Sequence, residues 1–104
     1  MKAGAILNDL LRLAHFIVPG EVERFFIYLT DEEMFSYLQN PNNGFEALNR
    51  DHGRLTITQE FVLGRAKSVR KMIKVPPVVC SARNVSSRDV GRGQRLSIYF
   101  VEPE

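Results

Sequence analysis

The chain is poor in the residues that build disulfides and metal centres, with one cysteine, two histidines and no tryptophan. A single cysteine, Cys80, excludes an internal disulfide, and with only His15 and His52 beside it a zinc site lacks ligands. We therefore expect neither a metal nor another cofactor, and the cytoplasm, a reducing compartment, as the location.

Long apolar runs are also missing. Polar residues at 8, 9, 12 and 15 interrupt the N-terminal segment too often for a signal peptide, and no stretch approaches the roughly 18 apolar residues of a membrane span. We expect no membrane partner. The 104 residues, 44% of them hydrophobic and 25% charged, predict one folded domain over 1–104.

The hydrophobic periodicity predicts an α+β domain with about three helices and a small antiparallel sheet that ends in a C-terminal β-hairpin. Residues 24–29 fit either a strand or a helix, and Thr30 and Glu33, which match a capping box for a new helix, favour the strand. Cys80 falls on the apolar face of a predicted strand, which favours a small buried side chain over a nucleophile. The predicted elements are helices 3–17, 31–39 and 59–74, a short helical turn at 45–50, strands 24–30, 54–58, 78–84 and 95–101, and a loop at 86–94.

The order of these elements is also that of a winged helix, in which the third helix enters the major groove of DNA. Two details oppose that alternative. About twenty residues, with a predicted strand among them, separate the second helix from the third, whereas a helix-turn-helix needs a short turn there. Apart from Gln59, the third helix also lacks the amide side chains that read base edges.

The charge is unevenly distributed along the chain. Residues 1–52 carry four Lys/Arg against eight Asp/Glu, a balance of −4, and residues 53–104 carry ten against four, a balance of +6. In the predicted helix 59–74, Val62, Ala66, Val69 and Ile73 form an apolar stripe at helical spacing. Four of the five basic residues of that helix lie three or four positions apart on another side. They are Lys67, Arg70, Lys71 and Lys74.

This basic helix face predicts a small non-enzymatic protein that binds the phosphates of nucleic acid. The loop 86–94 adds arginines and glycines, which favours a second phosphate contact. The alternative is an interaction module whose basic face meets an acidic protein surface or the acidic half of another copy, forming a homo-oligomer. The predicted contact residues are Lys67, Arg70, Lys71, Lys74, Arg88, Arg92 and Arg95.

Two weaker candidates stand beside this interpretation. Asp51, His52 and Arg54 lie together in a predicted loop and are the only candidate for catalysis, although neighbouring residues in a loop usually point apart. A group of aromatic side chains offers a stacking platform or an exposed partner groove, but a domain of this size needs most of its rings in the core. This aromatic group is Phe25, Phe26, Tyr28, Phe35 and Tyr37.

Overall fold

The protein is an α+β domain, as the sequence predicts, with an antiparallel sheet and a C-terminal hairpin. A computed structural model describes residues 3–16 and 22–103. The helices are α1 (Ala3–His15), α2 (Glu32–Gln39), α3 (Gln59–Leu63) and α4 (Lys67–Arg70), with 3₁₀ turns at Pro41–Asn43 and Glu46–Asn49. The strands are β1 (Arg24–Thr30), β2 (Arg54–Ile57), β3 (Cys80–Gly91) and β4 (Gln94–Pro103).

The four strands form one sheet in the order β1-β4-β3-β2, and every neighbouring pair is antiparallel. The last two strands are longer than predicted. Residues 86–90, predicted as loop, belong to β3, and the hairpin turns over Arg92 and Gly93 alone. Both turn residues have positive φ, 58° and 70°, as a type I′ turn requires. The prediction of a basic loop over 86–94 is therefore wrong.

The core lies between α1 and the inner face of the sheet. Four side chains of α1 (Ile6, Leu7, Leu10 and Leu11) are fully buried, as its amphipathic pattern predicts. On the sheet side, inward-facing residues of the strands meet them, including Ile57, Cys80, Ala82, Tyr99 and Val101. The predicted last residue of this helix, Ile17, lies outside the described residues.

Residues 24–30 form a strand, which resolves the strand-or-helix ambiguity. The following helix begins differently from the prediction. Asp31 is its N-cap, and Oδ1 of Asp31 accepts a hydrogen bond of 2.8 Å from the backbone N–H of Met34. Thr30 pairs with Arg95 in the sheet and is buried, so its side chain does not cap the helix.

The predicted continuous helix 59–74 is wrong, because the chain breaks it between α3 and α4. Gly64 ends α3, and Arg65 folds back over that end. Nε of Arg65 donates to the carbonyl of Phe61 at 2.9 Å, and Nη1 donates to the carbonyl of Asn43 at 2.7 Å. These bonds satisfy carbonyls at a helix end. Ala66, which the apolar periodicity of the predicted helix placed in the core, is exposed. The single recognition helix of a winged helix is therefore absent from this segment.

Candidate functional site

Four of the five basic residues of the broken helix remain neighbours, and we call Lys67, Arg70, Lys71 and Lys74 the basic cluster. Helical hydrogen bonding continues past α4, because the N–H of Met72 donates to the carbonyl of Val69 and the N–H of Ile73 to that of Arg70. Spacings of three and four residues therefore still place Lys67, Arg70 and Lys71 on one side of the segment, and Lys74 follows directly after its last turn. All four side chains are exposed.

The opposite side of this segment is fixed to α1. Val69 is 4% exposed, and the backbone N–H of Lys74 donates to Oδ1 of Asn8 at 2.7 Å. Nε2 of His15 lies 2.6 Å from the carbonyl of Pro76 and donates to it. The backbone that carries the basic cluster is thus packed on α1 at Val69 and bonded to it at Lys74, which fixes the positions from which the four side chains extend.

No acidic side chain neutralises the basic cluster within the described residues. The ion pairs of residues 3–16 and 22–103 are Arg12 with Asp9 at 3.5 Å and Arg54 with Glu102 at 3.2 Å. Nζ of Lys74 instead donates to the carbonyl of Lys71 at 3.2 Å, at the carbonyl end of the helical segment. The cluster therefore presents its positive charges to solvent and to any anion that approaches.

An apolar cleft of about 540 Å³ adjoins the cluster. Besides the hydroxyl of Tyr37, Ser68 and Lys71 supply the polar groups of its lining, and a pocket with a few polar groups in an apolar lining is typical of binding sites. The cleft lies where α2, the start of α1 and α4 meet. Its apolar lining comes from Ala3, Gly4, Met34, Tyr37, Val69 and Met72.

The structure does not join the hairpin arginines to the basic cluster. The guanidinium of Arg95 lies 4.4 Å from the ring centre of Phe35 in α2, and Nη2 donates to the carbonyl of Ser87 at 3.3 Å. Arg88 is exposed on the opposite, outer face of the sheet, and Arg92 occupies the hairpin turn. Since α4 packs on α1 and α1 covers the inner face, the seven predicted contacts are divided among different surfaces.

Asp51, His52 and Arg54 lie in and after an exposed turn, where each takes a separate role. His52 adopts a positive φ of 61°, and its backbone N–H donates to the carbonyl of Asn84 at 3.1 Å. Arg54 is engaged with Glu102. Among the described residues, no group of three or more His, Cys, Asp or Glu is placed to hold a metal ion. No helix in that part of the chain has the length and apolarity to cross a membrane.

The inner face of the sheet holds a pair of buried tyrosines. The hydroxyls of Tyr28 and Tyr99 share a hydrogen bond in the core. Burial raises the pKa of Tyr28 far above its usual range, and the neighbouring Tyr99 raises it further. Burial likewise raises the pKa of Tyr99. Both hydroxyls are therefore neutral wherever the domain is folded near neutral pH.

The outer face of the sheet is apolar along β1 and β4. Phe25, Ile27 and Leu29 are 46%, 61% and 49% exposed. Each lies beside an apolar residue of β4, in the pairs Phe25–Phe100, Ile27–Ile98 and Leu29–Leu96. We call these six side chains the outer stripe. Of the aromatic group considered from the sequence, Phe25 alone belongs to it, while Tyr28 is buried and the other three are partly buried.

A row of polar residues from β3 borders the outer stripe. In the register of the sheet, Arg83, Ser86 and Arg88 lie beside Phe100, Ile98 and Leu96. The guanidinium of Arg83 is 5.6 Å from the ring centre of Phe100, and the rings of Phe25 and Phe100 are 5.3 Å apart. Strand alternation marks these outward positions in the sequence, but it does not reveal which face a helix covers.

Comparison with protein-family models, curated proteins and solved structures finds no match for this chain. An α+β fold hosts many unrelated activities, so it does not assign one. The function therefore has to be inferred from the charges, the cleft and the exposed faces described above.

Proposed function

We propose that this protein is a small non-enzymatic nucleic-acid-binding protein whose basic cluster contacts phosphates. One observation carries this proposal. Lys67, Arg70, Lys71 and Lys74 are exposed neighbours along a segment that is anchored to α1 through Val69 and Lys74, and no acid of the described residues pairs with them. Like charges held together are unfavourable by a few tenths of a kcal/mol per pair, and a polyanion removes that repulsion.

The contact is expected to be independent of base sequence. Helix α4 is a single turn, which is too short to lie along the major groove as a recognition helix does, so its Lys and Arg side chains are expected to contact phosphates and not base edges. Binding then depends on counterion release, whose strength depends on the number of phosphates contacted. Arg92, in the hairpin turn, remains predicted as a further contact on a surface separate from the cluster. Arg95 is stacked against Phe35, and Arg88 lies on the outer face of the sheet, so neither is part of this proposal.

The test is a titration of labelled duplex DNA, single-stranded DNA and RNA by fluorescence anisotropy between 50 and 200 mM salt. Four phosphate contacts give a slope of log K against log salt of about −3.6 for duplex DNA, which is roughly a 150-fold loss of affinity over that range. The double variant Lys67→Glu/Lys71→Glu loses two of these contacts, so the slope for duplex DNA is expected to become shallower by about 1.8.

The matched control is Arg12→Glu/Arg50→Glu, which changes the net charge equally at exposed positions outside the cluster. It is expected to retain the wild-type slope. Absence of binding at 50 mM salt, or equal losses in the two double variants, would overturn the proposal. Circular dichroism of each variant verifies that it is folded.

The alternative, in which the cluster meets an acidic protein surface or another copy, is distinguished by light scattering. The halves of the chain, with balances of −4 and +6, would then form an oligomer that dissociates as the salt concentration rises. A salt-sensitive oligomer that Lys67→Glu/Lys71→Glu abolishes, together with no affinity for nucleic acid, would favour that alternative.

A further inference from the structure

The outer stripe is an apolar surface that no part of the described chain covers. Its six side chains form three cross-strand pairs in consecutive outward rows, so they are continuous along β1 and β4. Antiparallel sheets with one face on the core usually present polar residues on the other. A contiguous apolar patch of this kind on a small domain is typical of an interaction site.

The dimensions of the stripe match one α-helix. Two neighbouring strands are about 10 Å wide, and the seven residues of β1 extend over about 24 Å. A helix is about 10–12 Å across, and 16 residues of helix are about 24 Å long. The inner face of the same sheet already packs against a single helix, α1, of 13 residues.

The outer stripe is bordered by positive charge along β3. Arg83 and Arg88 lie along β3, two outward rows apart, and neither belongs to the ion pairs of the described residues. Asp89 follows Arg88 but belongs to the other alternating set, beside Arg95, and the outward Glu102 forms an ion pair with Arg54. On the other side of the stripe, β1 is the edge of the sheet. An occupant with negative charge along one flank therefore complements this face.

The shape and charge of the outer stripe discriminate among three possible occupants, which are a second copy of the chain, a single-stranded nucleic acid and a helix from a partner protein. A second copy would bring Arg83 and Arg88 close to an equally basic face, which opposes association. A single-stranded nucleic acid needs rings along its path, but the rings of the stripe, Phe25 and Phe100, are both at one end, and its most exposed member is aliphatic Ile27. Aliphatic side chains flanked by guanidinium groups instead suit the apolar face of an acidic amphipathic helix.

We propose that the outer stripe binds an amphipathic helix of about 16 residues from a partner protein. The apolar face of this helix lies on β1 and β4, and its Asp or Glu residues, two to three turns apart on one flank, pair with Arg83 and Arg88. This site is on the face of the sheet opposite α1 and is independent of the phosphate contact proposed for the basic cluster.

The probe is a pair of labelled 16-residue helical peptides with Leu and Ala on one face, which carry either Glu or Lys on one flank. Wild-type protein is expected to bind the Glu peptide about tenfold more tightly than the Lys peptide, as two surface ion pairs allow. Arg83→Glu/Arg88→Glu is expected to reverse this preference. Arg88→Glu alone, at an exposed position, is expected to reduce it and serves if the double variant does not fold.

The apolar contact is tested with Ile27→Ser and the matched control Leu63→Ser, since both side chains are 61% exposed and Leu63 belongs to α3. Ile27→Ser is expected to weaken both peptides at least tenfold, and Leu63→Ser to leave them unchanged. Lys67→Glu/Lys71→Glu is expected to retain peptide binding, so that failure of the nucleic-acid proposal is distinguishable from failure of this one.

Three results would overturn the helix site. The first is no binding of either peptide, and the second is a peptide preference that survives the reversal of Arg83 and Arg88. The third is evidence that the outer stripe binds a nucleic acid or a second copy of the chain instead of a helix. That occupant would be identified by displacement of the peptide with single-stranded DNA, or by a dimer in light scattering that Ile27→Ser dissociates.

Discussion

The close contact between α1 and α4, which supports the basic cluster, depends on Gly4. A Cβ atom at this position would lie 2.8 Å from Cβ of Met72 and 2.8 Å from the carbonyl oxygen of Val69. The second contact is with backbone, which has no rotamer that would relieve it. In Gly4→Ala, the two helices must therefore move apart.

The expected magnitude is a balance of two effects. Replacing a helical glycine by alanine gains up to about 1 kcal/mol in backbone entropy, whereas overpacking costs roughly 1–3 kcal/mol. We expect Gly4→Ala to lower the free energy of unfolding by about 1 kcal/mol. The control Gly64→Ala places its Cβ 3.4 Å from the carbonyl of Glu60, an ordinary contact at a φ of −80°, and is expected to gain about 0.4–1 kcal/mol.

Urea denaturation of the two variants measures this difference of about 1.5–2 kcal/mol as opposite shifts of the midpoint with unchanged slopes. The anisotropy titration adds a functional measurement, because displacement of α4 is expected to weaken nucleic-acid binding in Gly4→Ala and not in Gly64→Ala. Equal stability of the two variants, or a gain in Gly4→Ala, would refute the reasoning from the close contact.

Three further outcomes are expected from the buried polar groups and the helix cap. Asn84→Ala removes the buried donor to the carbonyl of Leu48 and is expected to cost about 1–3 kcal/mol by urea denaturation; a cost under about 0.5 kcal/mol would contradict the role of that bond. Because folding raises the pKa of Tyr28 and Tyr99, stability is full below about pH 10 and falls above it, by up to about 1.4 kcal/mol per pH unit for each tyrosine; urea midpoints at pH 9 and 11 measure this, and equal midpoints would exclude it. Asp31→Ala removes the N-cap of α2 and is expected to cost about 1 kcal/mol in thermal unfolding, with Asp31→Asn as the near-neutral control.

The elements that local pattern determines were predictable from the sequence. Helix α1 has a clear amphipathic period, and the alternation around Cys80 and Ile98 identifies the paired strands of the hairpin. Residues 86–90 have the composition of a loop, but pairing with β4 on one side extends β3 through them. This tertiary pairing is not visible in local propensity.

The candidate site was predictable only in part, for a related reason. The basic residues at 67–74 are neighbours as their spacing indicates, yet the helix that was expected to carry them ends at Gly64. Gly64 is a local stop signal that the apolar periodicity outweighed, and the break is accompanied by a bond over 22 positions, from Arg65 to the carbonyl of Asn43, which no helical pattern contains. The outer stripe was missed because apolar residues occupy both alternating sets of β1, and burial alone distinguishes the covered face from the exposed one.

The pairing of β1 with β4 has a consequence for the order of folding. Tyr28 and Tyr99, which meet in the core, are 71 positions apart, whereas β3 and β4 are joined by a two-residue turn. Closing the long loop costs more entropy than forming the hairpin, so the hairpin is expected to form first and β1 to join it late. Three of the six side chains of the outer stripe come from β1 and three from β4. A partner that needs the whole stripe would therefore recognise the chain only after folding is complete, and would stabilise that final step by mass action.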